Sequence, residues 1–367
     1  MIRHGWRFAL LTFVFLLLGT ACDASAPLTP TPTLTADAPG EERPLRLFIV
    51  RSYGAGDAWS DRVRVGILEA LAQNGYDLVS GNLLLEECAL YAELTSRDPE
   101  ALEKRKETLI RKIQDFGADI VILVDDEAAR WILESYPDPA QRFVLCGLSD
   151  VAWGQGLERA NAVGVLDFVH PVETVRLAAS MMRSPPKEVL FLSDASLSGV
   201  AEAAQVRTAL SDAEEPALRE VLTRSVDGWE TWQEVILEEV PHVDLVLLGR
   251  YSALVDAGGV PVPQSTVLRW TLQNSPEPIF GLHLHAIESG VAGGLVASGY
   301  EQGRKAAELT LDLLRGVDAE TRSPQPAQRN VLAINIAAAQ YWDLDASVEV
   351  LLAARVVRYF PIALGGP

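Results

Sequence analysis

The sequence predicts an α/β protein built as two Rossmann-like lobes, each with a parallel sheet, joined by a hinge of crossing strands. Three observations carry this. From Leu45 onward, short apolar runs alternate with amphipathic stretches, the pattern of a parallel sheet covered by helices. The same order of runs starts again at Lys187. Between the two halves lies Asn161-Ala-Val-Gly-Val-Leu-Asp167, a short apolar run with no turn signal after it, which suits a strand that crosses from one lobe to the other.

In the first half, Leu45 to Val50 reads as a strand. Val63, Ile67, Ala70 and Leu71 then mark one face of a helix that stops at Asn74-Gly75. Asp98-Pro99-Glu100 is a helix start, with the aspartate as N-cap and proline in the first turn. Its buried face continues through Leu102, Leu109, Ile113 and Phe116, and Gly117 ends it. Asp119 to Val124 is continuously apolar after its first residue, as expected of a strand covered on both faces. Phe143 to Gly147 is another strand. His170-Pro171 opens a helix with Val172, Val175, Ala179 and Met182 on one face.

The second half repeats this grammar. Lys187 to Ser193 parallels Leu45 to Val50, and Val243 to Gly249 parallels Ala118 to Val124. Pro276 to His283 parallels the run that ends at Gly147. Two similar lobes create a cleft faced by the C-terminal ends of their strands.

The N-terminus sets the expected compartment. Arg3, His4 and Arg7 precede the apolar run Phe8 to Leu18, which is too short to span a bilayer. Gly19, Thr20 and Ala21 then lead to Cys22, followed by Asp23. This looks like an export signal over 1–22 ending in a lipobox, with Cys22 diacylated as the mature N-terminus. Two acyl chains anchor a protein stably where one does not. Residues 23–43, with the run Pro27-Leu-Thr-Pro-Thr-Pro-Thr-Leu-Thr, lack apolar periodicity and read as a disordered Pro/Thr-rich tether. The expected location is therefore extracytoplasmic, anchored to the cell membrane through Cys22.

About 325 residues follow the tether, enough for two domains of ordinary size. A formal charge of −19, with no Lys/Arg run, argues against a nucleic-acid partner. Beyond Cys22 only Cys88 and Cys146 remain. Export permits a disulfide between them, but Cys146 sits in an apolar run and reads as a small buried hydrophobe.

Little in the sequence points to catalytic chemistry. The sequence has no phosphate loop, dinucleotide fingerprint, HExxH or nucleophile elbow, so neither catalytic residues nor a cofactor is expected. His283-Leu-His285 has spacing that could put two imidazoles on one side of a strand, but a third metal ligand is missing nearby, and a polar strand end is the better reading. Asp125-Asp126-Glu127 follows a strand and should open the helix Ala128 to Glu134, facing the cleft. Acids are favourable at a helix N-terminus in any case, and binding is a more economical use for them than acid/base catalysis.

The same logic of loops after strands nominates further cleft residues. Tyr53 and Trp59 follow the first strand, and Ser149, Asp150 and Trp153 follow Gly147. Asp167 ends the crossing strand, while Ser193 and Asp194 end the first strand of the second half. Arg250 and Tyr251 follow Gly249, and His283 ends its own run. Aromatics in such positions can stack on a flat or sugar-like ligand face.

Several segments in order resemble a known family: Gly66-Ile-Leu-Glu-Ala-Leu-Ala-Gln-Asn-Gly-Tyr76, Gly117-Ala-Asp-Ile-Val-Ile-Leu-Val124, Phe143-Val-Leu-Cys-Gly-Leu-Ser-Asp150, Asn161-Ala-Val-Gly-Val165, Ser289 to Glu308, and Ala333-Ile-Asn-Ile-Ala-Ala-Ala-Gln340. From about residue 45 to 345 the chain resembles ABC-transporter substrate-binding proteins of the type I periplasmic-binding-protein fold. Within them it is most similar to a subfamily of uncharacterised ABC substrate-binding proteins, some of which take aromatic amino acids. The resemblance implies a discontinuous architecture, with lobe 1 over 44–164 plus 287–320 and lobe 2 over 165–286 plus 321–367.

It also implies a function: capture of a small-molecule solute and its delivery to an ABC permease, and a monomer suits a receptor tethered through Cys22. Relatives often carry small hydroxyl residues where this chain has Asp125 to Glu127. Three acids would repel a ligand carboxylate and attract an ammonium group or hydroxyls. A ligand-sensing lipoprotein of the same fold stays open as an alternative, and a doubly wound enzyme as a third reading.

Overall fold

Most of the expected elements form, and their ends are set by local chemistry. A computed structural model describes residues 43–155, 161–213, 217–319, 323–327 and 330–362. The export signal, Cys22 and the tether up to residue 42 lie outside the described residues.

In chain order the elements begin with β1 (Leu45–Arg51), α1 (Ala58–Gln73), β2 (Leu83–Ala89), α2 (Ala92–Thr95), α3 (Pro99–Phe116), β3 (Ile120–Val124) and α4 (Asp125–Leu133). Then come β4 (Arg142–Leu148), α5 (Val151–Gln155), β5 (Ala162–Leu166), α6 (Pro171–Met181), β6 (Glu188–Asp194), α7 (Leu197–Asp212) and β7 (Glu220–Val226). Next are α8 (Trp229–Glu234), β8 (Leu245–Leu248), α9 (Gln264–Asn274), β9 (Ile279–Gly281), α10 (Leu284–Glu288), β10 (Gly293–Val296) and α11 (Gly299–Leu314). The chain closes with β11 (Gln325–Pro326), β12 (Val331–Asn335), α12 (Ile336–Tyr341), α13 (Val348–Ala353) and β13 (Arg355–Val357).

The helix stops are those the residues dictate. Asp57 caps α1 by accepting from the Ser60 amide at 2.7 Å, and Asp98 caps α3 through the amides of Glu100 and Ala101. Gly117 ends α3 at φ +63°. The acid run does not precede its helix but forms the first turn of α4, with Asp125 itself at φ +71°.

The first sheet runs β11-β5-β4-β3-β1-β2, and the second β7-β6-β8-β9. Every pairing in both is parallel. Alternate side chains enter opposite layers. Leu47, Ile49, Ile122 and Val144 pack with α1 and α11, while Phe48, Val50, Val121 and Leu145 pack with α3 and α4. In the second sheet Leu190, Leu192 and Val246 meet α8 and α9, while Val189, Phe191 and Leu247 meet α6 and α7. The sequence reading missed β2 and β7. Both are edge strands with charged residues, so neither carries the continuous apolar run of a central strand.

Cys88 and Cys146 are both free thiols. Their strands, β2 and β4, are separated by β1 and β3. At about 4.8 Å per strand the two lie roughly 14 Å apart, beyond disulfide reach.

Three segments pass between the sheets: Asp167 to His170, Ala297 to Ser298, and Ala327 with Asn330. They line a shared cavity of about 270 Å³. Strand pairing locates these crossings. β10, within the 287–320 range expected in lobe 1, runs beside β9, with the Ala292 amide on Ile279 O at 2.9 Å and Ala297 on Leu282 O at 3.0 Å. It also pairs with β12 in a small third sheet, β10-β12-β13. β11, within the 321–367 range expected in lobe 2, pairs with β5 of the first sheet.

Helix α11 returns to cross α1 at very close range. A Cβ on Gly66 would overlap the Tyr300 carbonyl oxygen, and one on Gly303 would overlap that of Val63. Neither backbone can yield without separating the helices. Gly303→Ala should therefore cost about 1–3 kcal/mol or more, seen as a lower denaturation midpoint at unchanged slope.

Candidate ligand-binding cleft

Parallel strands in both sheets end on the same side, so the loops that follow them meet. After β1 come Ser52 and Tyr53; after β3, Asp125 to Glu127; after β4, Ser149; after β5, Asp167. From the second sheet come Ser193 and Asp194 at the end of β6, Arg250 and Tyr251 after β8, and His283 after β9. All of these are buried.

Arg250 is the centre of the assembly and is 5 % exposed. It follows a strand of the second sheet, yet its guanidinium reaches groups that follow strands of the first. It donates to Asp125 Oδ1 at 3.2 Å, Ser149 Oγ at 3.1 Å and Asp167 Oδ2 at 3.2 Å. Its Nε lies 4.0 Å from Glu202 Oε2 on α7, and its carbon lies 5.2 Å from the centre of the Trp59 ring. The other Glu202 oxygen is 3.0 Å from His283 Nε2. Gln302 of α11 supports the far side of Asp167, donating to Oδ1 at 3.2 Å.

A second bridge uses the acids of α4. Glu127 Oε1 accepts from the Tyr53 hydroxyl at 3.1 Å and from the Leu197 amide at 2.7 Å, where α7 begins. Asp126 accepts from the amides of Ser149 and Asp150, each at 3.0 Å, and from Ser198 Oγ at 2.8 Å. The acidic first turn of one helix thus caps the N-terminus of another, where the dipole favours negative charge. Nearer the surface, Asp57 Oδ2 accepts from Ser252 Oγ at 2.9 Å and Gln264 Nε2 at 2.7 Å.

Burial decides the titration of this cluster. It pushes the carboxyls of Asp125, Asp126, Asp167 and Asp194 up, and Glu127 up to about 7, with Asp126 adding to the effect on Glu127. Burial opposes the charge on Arg250, but Asp125, Asp167 and Glu202 outweigh it and hold the guanidinium protonated. His285 is held well below its usual range by burial and by His283 and Arg250. Several polar atoms here lack a hydrogen-bond partner: Asp125 Oδ2, Glu202 Oε2, Arg250 Nε, Trp59 Nε1 and Nδ1 of both histidines.

The structure gathers twelve of the fourteen nominated binding residues into this buried region and places two at its edge. Asp150 is half-buried and ion-paired with Arg130, whose guanidinium lies 5.3 Å over the Trp153 ring. His283 and His285 are not on a strand. β9 ends at Gly281, His283 takes the N-cap position of α10 without a capping hydrogen bond, and His285 lies within the helix, with the two rings stacked at 5.7 Å. Among the described residues no three His, Cys, Asp or Glu side chains converge as metal ligands.

Sequence reasoning missed Glu202, Ser198 and Gln302. All three are buried polar residues on helices, outside the strand-end loops. The signal that could have found Glu202 is its place on the apolar face of α7, between Gly199, Ala203 and Val206.

No protein-family model and no curated protein matches the chain. Solved structures do. An ABC domain in complex with L-Trp from Streptococcus pneumonia aligns at 17% identity and TM-score 0.66, over 86% of this chain and 100% of the other. A conserved domain protein from Vibrio cholerae aligns at 16% identity and TM-score 0.67, over 86% of this chain and 100% of the other. The ligand-free, open form of a substrate-binding protein with adhesive properties from Clostridium difficile aligns at 14% identity and TM-score 0.58, over 86% and 99%. The chain therefore has the two-lobed type I periplasmic-binding-protein fold found in ABC-transporter solute-binding proteins. No helix of the described residues is long and apolar enough to cross a membrane.

Two outcomes follow from the cluster. Arg250→Ala leaves Asp125, Asp167 and Glu202 without their cation and should cost about 3–5 kcal/mol in denaturant titrations at neutral pH. The pH dependence has a definite sign. Glu127 titrates near 7 when folded and near 4.5 when unfolded, so the folded state holds the extra proton between these values. Stability should fall as pH rises through that window, by at most about 1.4 kcal/mol per pH unit for each such group. The raised aspartates act in the same sense, and His285 opposes them below 6.5. Glu127→Gln should flatten the profile.

Proposed function

We propose that this chain is a lipid-anchored extracytoplasmic solute-binding protein, which captures a small molecule between its lobes and delivers it to an ABC permease. The observation that carries the reading is the convergence of strand ends from two parallel sheets on one cleft, bridged by side chains from both. Closure of two lobes around a ligand is the motion such an arrangement permits. The lobes are proposed as β1 to β5 with α11 and β11 on one side, and the elements around the second and third sheets on the other. The likeness to structures described as holding L-Trp or as a substrate-binding protein supports solute capture.

Anchoring through Cys22, with residues 23–43 as the tether, is part of the same proposal. So are a monomeric state, a permease partner, and the absence of catalysis and of nucleic-acid binding.

A thermal-shift screen of the mature protein against amino acids, sugars, polyamines, nucleosides and vitamins tests it. A solute that binds only the folded state, at a hundred times its dissociation constant, should add about 2.7 kcal/mol of stability. A saturable shift with one chemical class supports capture. A flat response across the whole panel would sink it.

A further inference from the structure

The middle of the cleft is filled by the protein's own guanidinium, but an open cavity of about 570 Å³ lies beside it. That volume falls within the range of small-molecule sites. Tyr53 and Asp57 from the β1–α1 loop, Glu93 from α2, and Tyr251 and Gln264 from the segments after β8 all line it.

Glu93 is its unusual member, a carboxylate only 8 % exposed. Its Oε1 accepts from the Gly54 amide at 3.1 Å, while its Oε2 has no hydrogen-bond partner. The local backbone is shaped to hold it there. Tyr91 enters α2 at φ +60°, and a Cβ on Gly54 would come within 2.9 Å of Glu93 Oε1. An acid buried with one oxygen unsatisfied is costly, and a cationic donor would relieve that cost. Burial raises its carboxyl, and the charge of Asp57 adds to this.

The oxygens of Asp57 are already taken by Ser60, Ser252 and Gln264, so it contributes negative potential rather than a free acceptor. Other walls are apolar, including Val262 and Leu268, and the lining cation Arg269 is exposed.

We propose that this cavity is the solute site and that Glu93 selects an organic ammonium with an apolar body. The proposal rests on the solute-binding reading above.

Isothermal titration of the mature protein with matched pairs tests it: putrescine with butanediol, cyclohexylamine with cyclohexanol, and phenethylamine with phenethyl alcohol. At least one amine should bind, with its hydroxyl partner about tenfold weaker or more, and Glu93→Gln should abolish that preference. Glu93→Gln keeps the shape and the Gly54 contact. If it nevertheless fails to fold, the amine-to-alcohol ratio on the unaltered protein decides. Binding of some other solute in the broad screen without an amine preference, or a preference unchanged in Glu93→Gln, overturns the cavity assignment and leaves solute capture standing. Silence in both panels overturns both.

Discussion

The arrangement of the cleft depends on one buried cation. Arg250 leaves the second sheet and finds its partners, Asp125, Ser149 and Asp167, at the ends of first-sheet strands. A guanidinium taken out of water is tolerated only when its charge and its donors are matched. Here matching requires groups from both sheets at once, so the side chains of the cleft are themselves the solvation shell of the arginine. Around it stand more carboxyls than one cation can balance, and burial answers by favouring their protonated forms.

The scaffold is stiff on one side of that cluster and discontinuous on the other. The glycine-mediated contact of α1 with α11 brings backbone against backbone, which fixes the late helix to the early sheet with little freedom to slide. Gln302, on the same helix, reaches Asp167 and the Gly147 amide. Thus a helix from late in the chain sets the position of an acid that meets Arg250. The three crossing segments lie side by side around their own small cavity.

Two regions of the cleft carry different chemistry. The centre is dense, charged and internally bonded. The adjoining cavity is open, partly apolar, and bounded by an acid with a free acceptor. Asp57 shapes the wall of that cavity, because it caps α1 and also accepts from Ser252 and Gln264.

Local pattern alone fixes the central strands and several of the helices between them, in their order. Apolar periodicity, Asp98-Pro99, Gly117 and the Asn74-Gly75 stop act within a few residues, so they are legible locally. Strand-end logic then brought Tyr53, Asp125, Ser149, Asp167, Arg250 and His283 to one place, because parallel sheets present their C-terminal ends together. Which of these groups touch depends on how the two sheets pack together. Arg250 meets Asp125 across 125 positions of sequence, and Glu202 enters from the middle of a helix. The edge strands β2 and β7, and the start of α10 at His283 and His285 in place of a continued strand, were not legible for a related reason. Their state is set by neighbours distant in the chain, whose hydrogen bonds and burial no local pattern encodes.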